Sequence, residues 1–225
     1  MDQRSSSRLS SRAHGFTLIE LLLVVSIIAL LISILLPQLS RSRKAAKNVI
    51  DQVRLRQLQT ACGSYATDFI GWFPWRSSSG AYMPHIIKGT GFELNATFAT
   101  KYLASNLDPA VFCNGELYTV RNPIVYPSYP GLYYAFTYTN YPAGGWIVPK
   151  PKLQRHNADG KYALWTCLTT LKDTGNFLGH DSPEIPVKPT GQNAAKVDGS
   201  VAWHPWATME PFAIVSSHNF YWPRP

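Results

Sequence analysis

The chain has 225 residues, 45% of them hydrophobic and 15% charged, with a formal net charge of +8. The charge is unevenly placed: Arg41, Arg43, Lys44, Lys47, Arg54 and Arg56 crowd one short stretch against Asp51, while the region from Gln57 onward holds 12 basic and 10 acidic residues. A near-neutral domain behind a basic collar argues against nucleic acid as a partner and reads as a solvated helix face beside anionic lipid headgroups.

From Phe16 to Leu36 the chain is apolar except for Thr17, Glu20, Ser26 and Ser33. At about 1.5 Å per residue this segment makes a helix of about 30 Å, the thickness of a bilayer core. A carboxylate inside such a segment is costly and marks a functional candidate whose partner needs naming. A secretory signal peptide has an apolar core of roughly 7–15 residues and a small-residue cleavage site after it. Here the apolar run is longer, Leu36-Pro37-Gln38-Leu39-Ser40 has no A-x-A pattern, and the small residue, Gly15, precedes the run after Arg4, Arg8 and Arg12.

Gly15-Phe16-Thr17-Leu18-Ile19-Glu20 resembles the type III signal of type IV prepilins and type II secretion pseudopilins. The resemblance implies cleavage by prepilin peptidase between Gly15 and Phe16, and N-methylation of the new Phe16 amine. It makes Glu20 the acid that neutralises the amine of a neighbouring subunit during assembly, and Pro37 the helix-kinking proline such proteins often carry. It also implies a single-pass protein of the inner (cytoplasmic) membrane, in contact with its lipid, with the head extracytoplasmic and other pilin or pseudopilin subunits as partners. The positive-inside rule points the other way, because the basic residues after the span outnumber those before it. The processing signal is the more specific of the two and sets the expected orientation.

The helix is expected to run past Pro37, which removes one backbone donor without a stop signal after it. Apolar residues continue at helical spacing: Ala46, Ile50 and Val53, then Leu55, Leu58, Cys62, Tyr65 and Phe69. Gly71 and Pro74 are the expected stop. "FELNATFATKYLASN" (92–106) predicts a second helix presenting Phe92, Phe98, Tyr102 and Leu103. Strands are predicted in "AVFCN", "ELYTV", "LYYAFTYTN", "GWIV", "YALWTCLTT", "SVAWH" and "FAIVS", with loops at Ser77–Gly80, Pro123–Pro130 and Pro183–Pro189. The fold class is therefore α+β: a leader at 1–15, a transmembrane and assembly helix at 16–36, an amphipathic stalk at 37–70, and a β-rich head at 71–225 whose antiparallel sheet packs on the stalk.

"GQNAAKVDGSVAWHP" (191–205), with "AVFCN" and "LYYAFTYTN", is similar to a planctomycete-type group of prepilin-like proteins. Asn193, Asp198, Gly199, Val201 and Trp203 match its pattern. The group's histidine ten residues before the Asp-Gly pair is replaced by Lys188, the nearest upstream histidine being His180. By its residues alone Asp198-Gly199 is a hairpin-turn signal. A calcium site there, as in some major pseudopilins, would need further oxygens from Asp181 or Glu184.

Cys62, Cys113 and Cys167 show no C-x-x-C spacing, so zinc has no support from the sequence pattern. In an oxidising compartment a Cys113–Cys167 disulfide would join two head strands and leave Cys62 at the stalk–head interface; burial of all three as thiols fits equally. Neither a zinc-helix, G-x-S-x-G, S-x-x-K nor Walker pattern is present, and the expectation is of a protein that is not an enzyme and holds no cofactor, calcium aside. Two functions remain: a structural filament subunit, or a membrane-anchored module binding a glycan or envelope partner through its aromatic residues. Aromatics are 13% of the chain, a content that core packing also explains.

Overall fold

Helix α1 runs through Leu18–Asp68, 51 residues with Pro37 inside, in the computed structural model of the chain. The structure describes residues 16–74, 96–103, 113, 135–136, 159–179, 182–185, 187–215 and 218–224. The chain divides into two units, Met1–Lys44 and Ala45–Pro225.

In the first unit the large apolar side chains from Phe16 to Leu39 are exposed. The hydroxyls of Ser26 and Ser33 donate to the Leu23 and Leu30 carbonyls, each at 2.7 Å. Both polar groups are thus satisfied within the helix, which leaves a surface suited to hydrocarbon or to other apolar helices. One helix in the protein, α1, is long and apolar enough to cross a membrane, among the described residues.

In the second unit α1 turns Leu55, Leu58, Cys62, Tyr65 and Ala66 into the core. They meet Leu164 and Trp165 of strand β2 (Ala163–Thr166), Ala195 of β6 (Gly191–Lys196), and the nearby Cys167 and Val197. The predicted series Leu55–Leu58–Cys62–Tyr65 is the buried stripe. The series before it lies off the core: Ile50 and Val53 are 44% and 53% exposed, and Ala46 is exposed. The inward face continues instead through Asp51, fully buried, with Asn48 and Gln52 beside it on the same side. These positions keep the three-and-four spacing but carry polar side chains.

The helix ends one step earlier than its glycine suggests. The Gly71 amide donates to the Ala66 carbonyl at 2.7 Å, and Ile70 takes a left-handed φ of 53° before Gly71 follows at 83°. A six-to-one bond around a left-handed residue is a common helix termination, but that residue is usually glycine. Helix α2, Ala96–Lys101, is shorter than the predicted 92–106. It buries Phe98, whose ring meets Tyr65 edge-on at 5.8 Å, while Tyr65 stacks on Phe69 at 4.1 Å. Phe92 lies outside the described residues.

Two antiparallel sheets complete this unit. The first has the order β1-β2-β6-β7, with β1 at Ala135–Phe136 and β7 at Val201–Pro205. The second has the order β5-β4-β3-β9-β8, built from β3 (Thr170–Lys172), β4 (Phe177–Gly179), β5 (Ser182–Ile185), β8 (Met209–Val215) and β9 (His218–Pro223). Its side of the core gathers Phe212, Phe220 and Trp222, the rings of Phe212 and Trp222 stacked at 5.2 Å. The Gln192 side chain donates to the Tyr221 carbonyl at 3.0 Å and so ties the sheets together. The α+β class, with an apolar N-terminal helix and antiparallel sheets, is the one the sequence predicts.

Strand placement departs from expectation in instructive places. "YALWTCLTT" contains β2 and the first residue of β3, "SVAWH" most of β7 and "FAIVS" the second part of β8, and "LYYAFTYTN" contains β1. "AVFCN" apart from Cys113, "ELYTV", "GWIV" and the loops at 77–80 and 123–130 lie outside the described residues. The stretch Pro183–Pro189, expected as a loop, instead begins within β5. A proline is tolerated there because β5 ends its sheet among the described residues, where no described strand needs its missing N–H. Two of the three other end strands, β7 and β8, likewise contain Pro205 and Pro211.

A β-branched residue in the left-handed region costs about 1–2 kcal/mol, so Ile70→Gly is expected to stabilise the second unit. After the entropy glycine adds to the unfolded chain, the net gain is about 0.5 kcal/mol. Tryptophan-fluorescence denaturation of the detergent-extracted chain measures it, and an unchanged or lower midpoint would contradict the strained cap.

Candidate functional site

The N-terminal end of α1 is built by four residues, Thr17-Leu18-Ile19-Glu20. The Thr17 carbonyl accepts the Leu21 amide at 3.2 Å, which makes Thr17 the residue that opens the helix. Its side-chain oxygen accepts the Glu20 amide at 3.2 Å. In return the Thr17 amide and hydroxyl each donate to the Glu20 carboxylate at 2.9 Å. This is a capping box, two orphan donors satisfied reciprocally by a Thr and a Glu three residues on. Glu20 also places its negative charge at the positive end of the helix dipole. Phe16, directly before the box, is 69% exposed. Gly15 lies outside the described residues. Reading Glu20 only as a charge awaiting a partner missed Thr17, though the T-x-x-E spacing was there to be read.

In the second unit the candidate Asn193 is a joint. Its side chain, fully buried on β6, donates to Asn48 Oδ1 and accepts from Gln52 Nε2 at 3.1 Å. Its main-chain carbonyl accepts the Cys167 amide at 2.9 Å. Farther along α1, Gln59 Nε2 donates to the Val197 carbonyl at 3.3 Å. A strand and a helix cannot share backbone ladders, so these amide side chains supply the directional contacts that hydrophobic packing lacks.

Asp198 and Gly199 form the turn between β6 and β7. The Gly199 amide donates to the Lys196 carbonyl at 3.0 Å with φ at +88°, which an L side chain rarely adopts. The Asp198 carboxylate accepts the Ser200 amide at 2.8 Å. Hydrogen bonds from the Ser200 hydroxyl and amide hold that carboxylate below the usual range. At the other end of the hairpin Gly191 is required by space: a Cβ there would sit 2.2 Å from the His204 carbonyl oxygen. Asp198 is therefore occupied in shaping its own turn. The oxygens once expected to join it, from Asp181 and Glu184, lie outside the described side chains.

The cysteines are all reduced and buried. Cys62 accepts the Trp165 indole N–H at 3.3 Å, and burial pushes its thiol well above the ordinary range. The Cys113 thiol lies within hydrogen-bond reach of both the Cys167 sulfur, at 3.4 Å, and Asp51 Oδ2, at 3.6 Å.

Seven aromatic rings of this unit, Trp165, Trp222, Tyr65, Phe73, Phe98, Phe212 and Phe220, are consumed by the core among the described residues, while Trp72 is 39% exposed. An open groove along α1 is lined mainly by Arg56, Gln57, Thr60, Ser64, Lys101 and Tyr102. The Tyr102 hydroxyl donates to Asp68, which pushes the tyrosine up to about 12. The groove is open, Val53 and Ala61 add apolar lining to it, and Tyr102 is its one aromatic ring, without the stacked rings that a sugar platform requires.

A family model described as a prokaryotic N-terminal methylation motif matches residues 10–36, a stretch that contains Gly15, Phe16 and Glu20. No curated protein and no solved structure matches the chain. The chain thus carries a pilin-like N-terminal signal of the kind that prepilin peptidases process, and the helix behind that signal anchors it in a membrane.

Two outcomes test the second unit. Asn193→Ala removes the hydrogen-bond partner of the part-buried Asn48 and Gln52 side chains and is expected to cost about 1–3 kcal/mol of stability, read as a lowered denaturation midpoint. His204 has its pKa lowered below 6.5, first by burial and then by Lys196. Protonation therefore favours the unfolded chain: the stability present above pH 6.5 falls as the pH drops below it. A melting series between about pH 8 and 5 should show that decline, and His204→Gln should flatten it.

Proposed function

We propose that the protein is a structural subunit, a pilin or pseudopilin, of a type IV pilus-like or type II secretion filament. One observation carries this reading: the methylation motif at 10–36 is joined to a helix whose apolar face is bare and whose polar groups are internally satisfied. Prepilin peptidase cuts between Gly15 and Phe16 and the new amine is methylated. Orientation follows the peptidase, with the leader cytoplasmic and the head outside, so the basic collar from Arg41 to Arg56 faces headgroups on the far leaflet. The head belongs with the planctomycete-type group through Asn193, Asp198, Gly199, Val201 and Trp203. The protein acts by packing, not by catalysis.

Assembly works through exchange at Glu20. In the separate chain its carboxylate is engaged by Thr17. In the filament the Phe16 amine of a neighbour offers a full positive charge in surroundings where an unpaired charge is expensive. The carboxylate keeps an oxygen for each partner, so the helix cap need not be lost when the ion pair forms.

This separates two roles that an alanine substitution would confuse. Glutamine fills the third position of a capping box as glutamate does, so Glu20→Gln keeps the helix start and loses only the charge. The expected result is Glu20→Gln protein inserted and cleaved like wild type but missing from sheared filaments. Wild-type recovery in those filaments would refute the ion-pair mechanism. Intact mass of the membrane-extracted chain provides the control, since a filament subunit begins at methylated Phe16.

A further inference from the structure

Three side chains distant in sequence converge in the interior of the second unit. Asp51 comes from the inward face of α1, Cys167 from the chain just after β2, and Cys113 from a separate segment; they are 0%, 0% and 3% exposed. The Cys113 sulfur is 3.4 Å from the Cys167 sulfur and 3.6 Å from Asp51 Oδ2, and one ligand atom from each residue lies within 4.8 Å of the others. Among the described residues this is the one group of His, Cys, Asp and Glu side chains so arranged.

These separations can be set against two chemistries. A disulfide brings two sulfurs to about 2.05 Å and has no use for a carboxylate. A tetrahedral zinc ion bound at about 2.3 Å by sulfur and 2.0–2.2 Å by oxygen puts its sulfurs about 3.8 Å apart and sulfur from oxygen about 3.5 Å. The observed 3.4 and 3.6 Å fall nearer the second set, and one ligand atom from each of the three residues lies within 4.8 Å of the others. Two thiolates also select the metal: sulfur favours zinc over calcium or magnesium, which take oxygen. The Asp51–Cys113–Cys167 donor set is thus of the wrong kind for calcium.

We propose that Asp51, Cys113 and Cys167 form a zinc site that fastens the Cys113 segment to the seam between α1 and β2. On binding, Zn²⁺ forms one bond to the Asp51 carboxylate and one to each sulfur. The two thiols release their protons to solvent, and nothing is oxidised or reduced. Zinc's fourth position goes to a donor outside this trio. The Asn193 carbonyl, through the Cys167 amide at 2.9 Å, fixes the backbone that presents one of the sulfurs. Cys62 is excluded, its sulfur being engaged by Trp165.

The test uses the full chain, extracted in detergent without chelator, desalted, and analysed for metal by mass spectrometry. About one zinc per chain is expected. Asp51→Asn, nearly the same shape, should lower the zinc content at least about tenfold, as should Cys113→Ser, while Cys62→Ser leaves it unchanged. Because a buried substitution can unfold the chain, wild-type protein is also stripped and reloaded with cobalt(II). Sulfur-to-cobalt charge transfer with intense tetrahedral visible bands supports the site, and their absence overturns it. Metal-free protein lighter by two hydrogens, with Asp51→Asn unaffected, would show that the cysteines form a disulfide instead. Metal-free protein with both thiols alkylated on unfolding overturns the proposal as well.

Discussion

The second unit depends on how α1 is fixed to β6. Leu55, Leu58, Cys62 and Tyr65 supply the area, but apolar burial alone allows a helix to slide along or rotate over a sheet. Asn193 removes that freedom. Its side chain engages Asn48 and Gln52 one turn apart on α1, and its carbonyl engages Cys167 at the end of β2. Gln59 repeats the device at the hairpin turn. Buried amides are destabilising when unmatched, so a slipped register loses several hydrogen bonds at once. Position on the sheet is thereby specified by polar groups, while most of the adhesion comes from apolar ones.

The N-terminal end solves a different problem with the same economy of parts. A carboxylate next to a membrane-length helix looks like a defect when read by hydropathy alone. Thr17 and Glu20 together close the first turn, so the acid has a structural function in the isolated chain before any neighbour arrives. In the proposed filament the same carboxylate also meets the amine of a neighbour. The short sequence Thr-Leu-Ile-Glu therefore encodes a helix start and a contact for a partner with four residues.

Much of this was legible in the sequence, and what was not failed for identifiable reasons. The membrane-length helix, the stalk stripe from Leu55 onward, the Asp198-Gly199 turn and the strands in "YALWTCLTT" and "SVAWH" follow from periodicity and turn chemistry. Asn48, Asp51 and Gln52 were missed as inward-facing because a hydrophobic pattern cannot show polar residues that face a sheet. Val53 joins the apolar series by its character, whereas its exposure is decided by the direction in which α1 meets the sheet. β5 was taken as a loop from Pro183, since outermost position in a sheet is a property of topology and not of local composition. The thiol–carboxylate cluster had no signal at all: 62 residues separate Cys113 from Asp51 and 54 separate it from Cys167, so no spacing rule could join them.

The prolines of the outer strands have a consequence for crowding. Pro183, Pro205 and Pro211 sit in β5, β7 and β8, both ends of one sheet and one end of the other. An approaching strand finds gaps in the row of donors it would need, so edge-to-edge zippering between molecules is discouraged. Any protein held at high density on a membrane faces neighbours at every side. In the proposed filament the exposed apolar helix is the surface of contact, while three of the four sheet ends among the described residues are blunted against it.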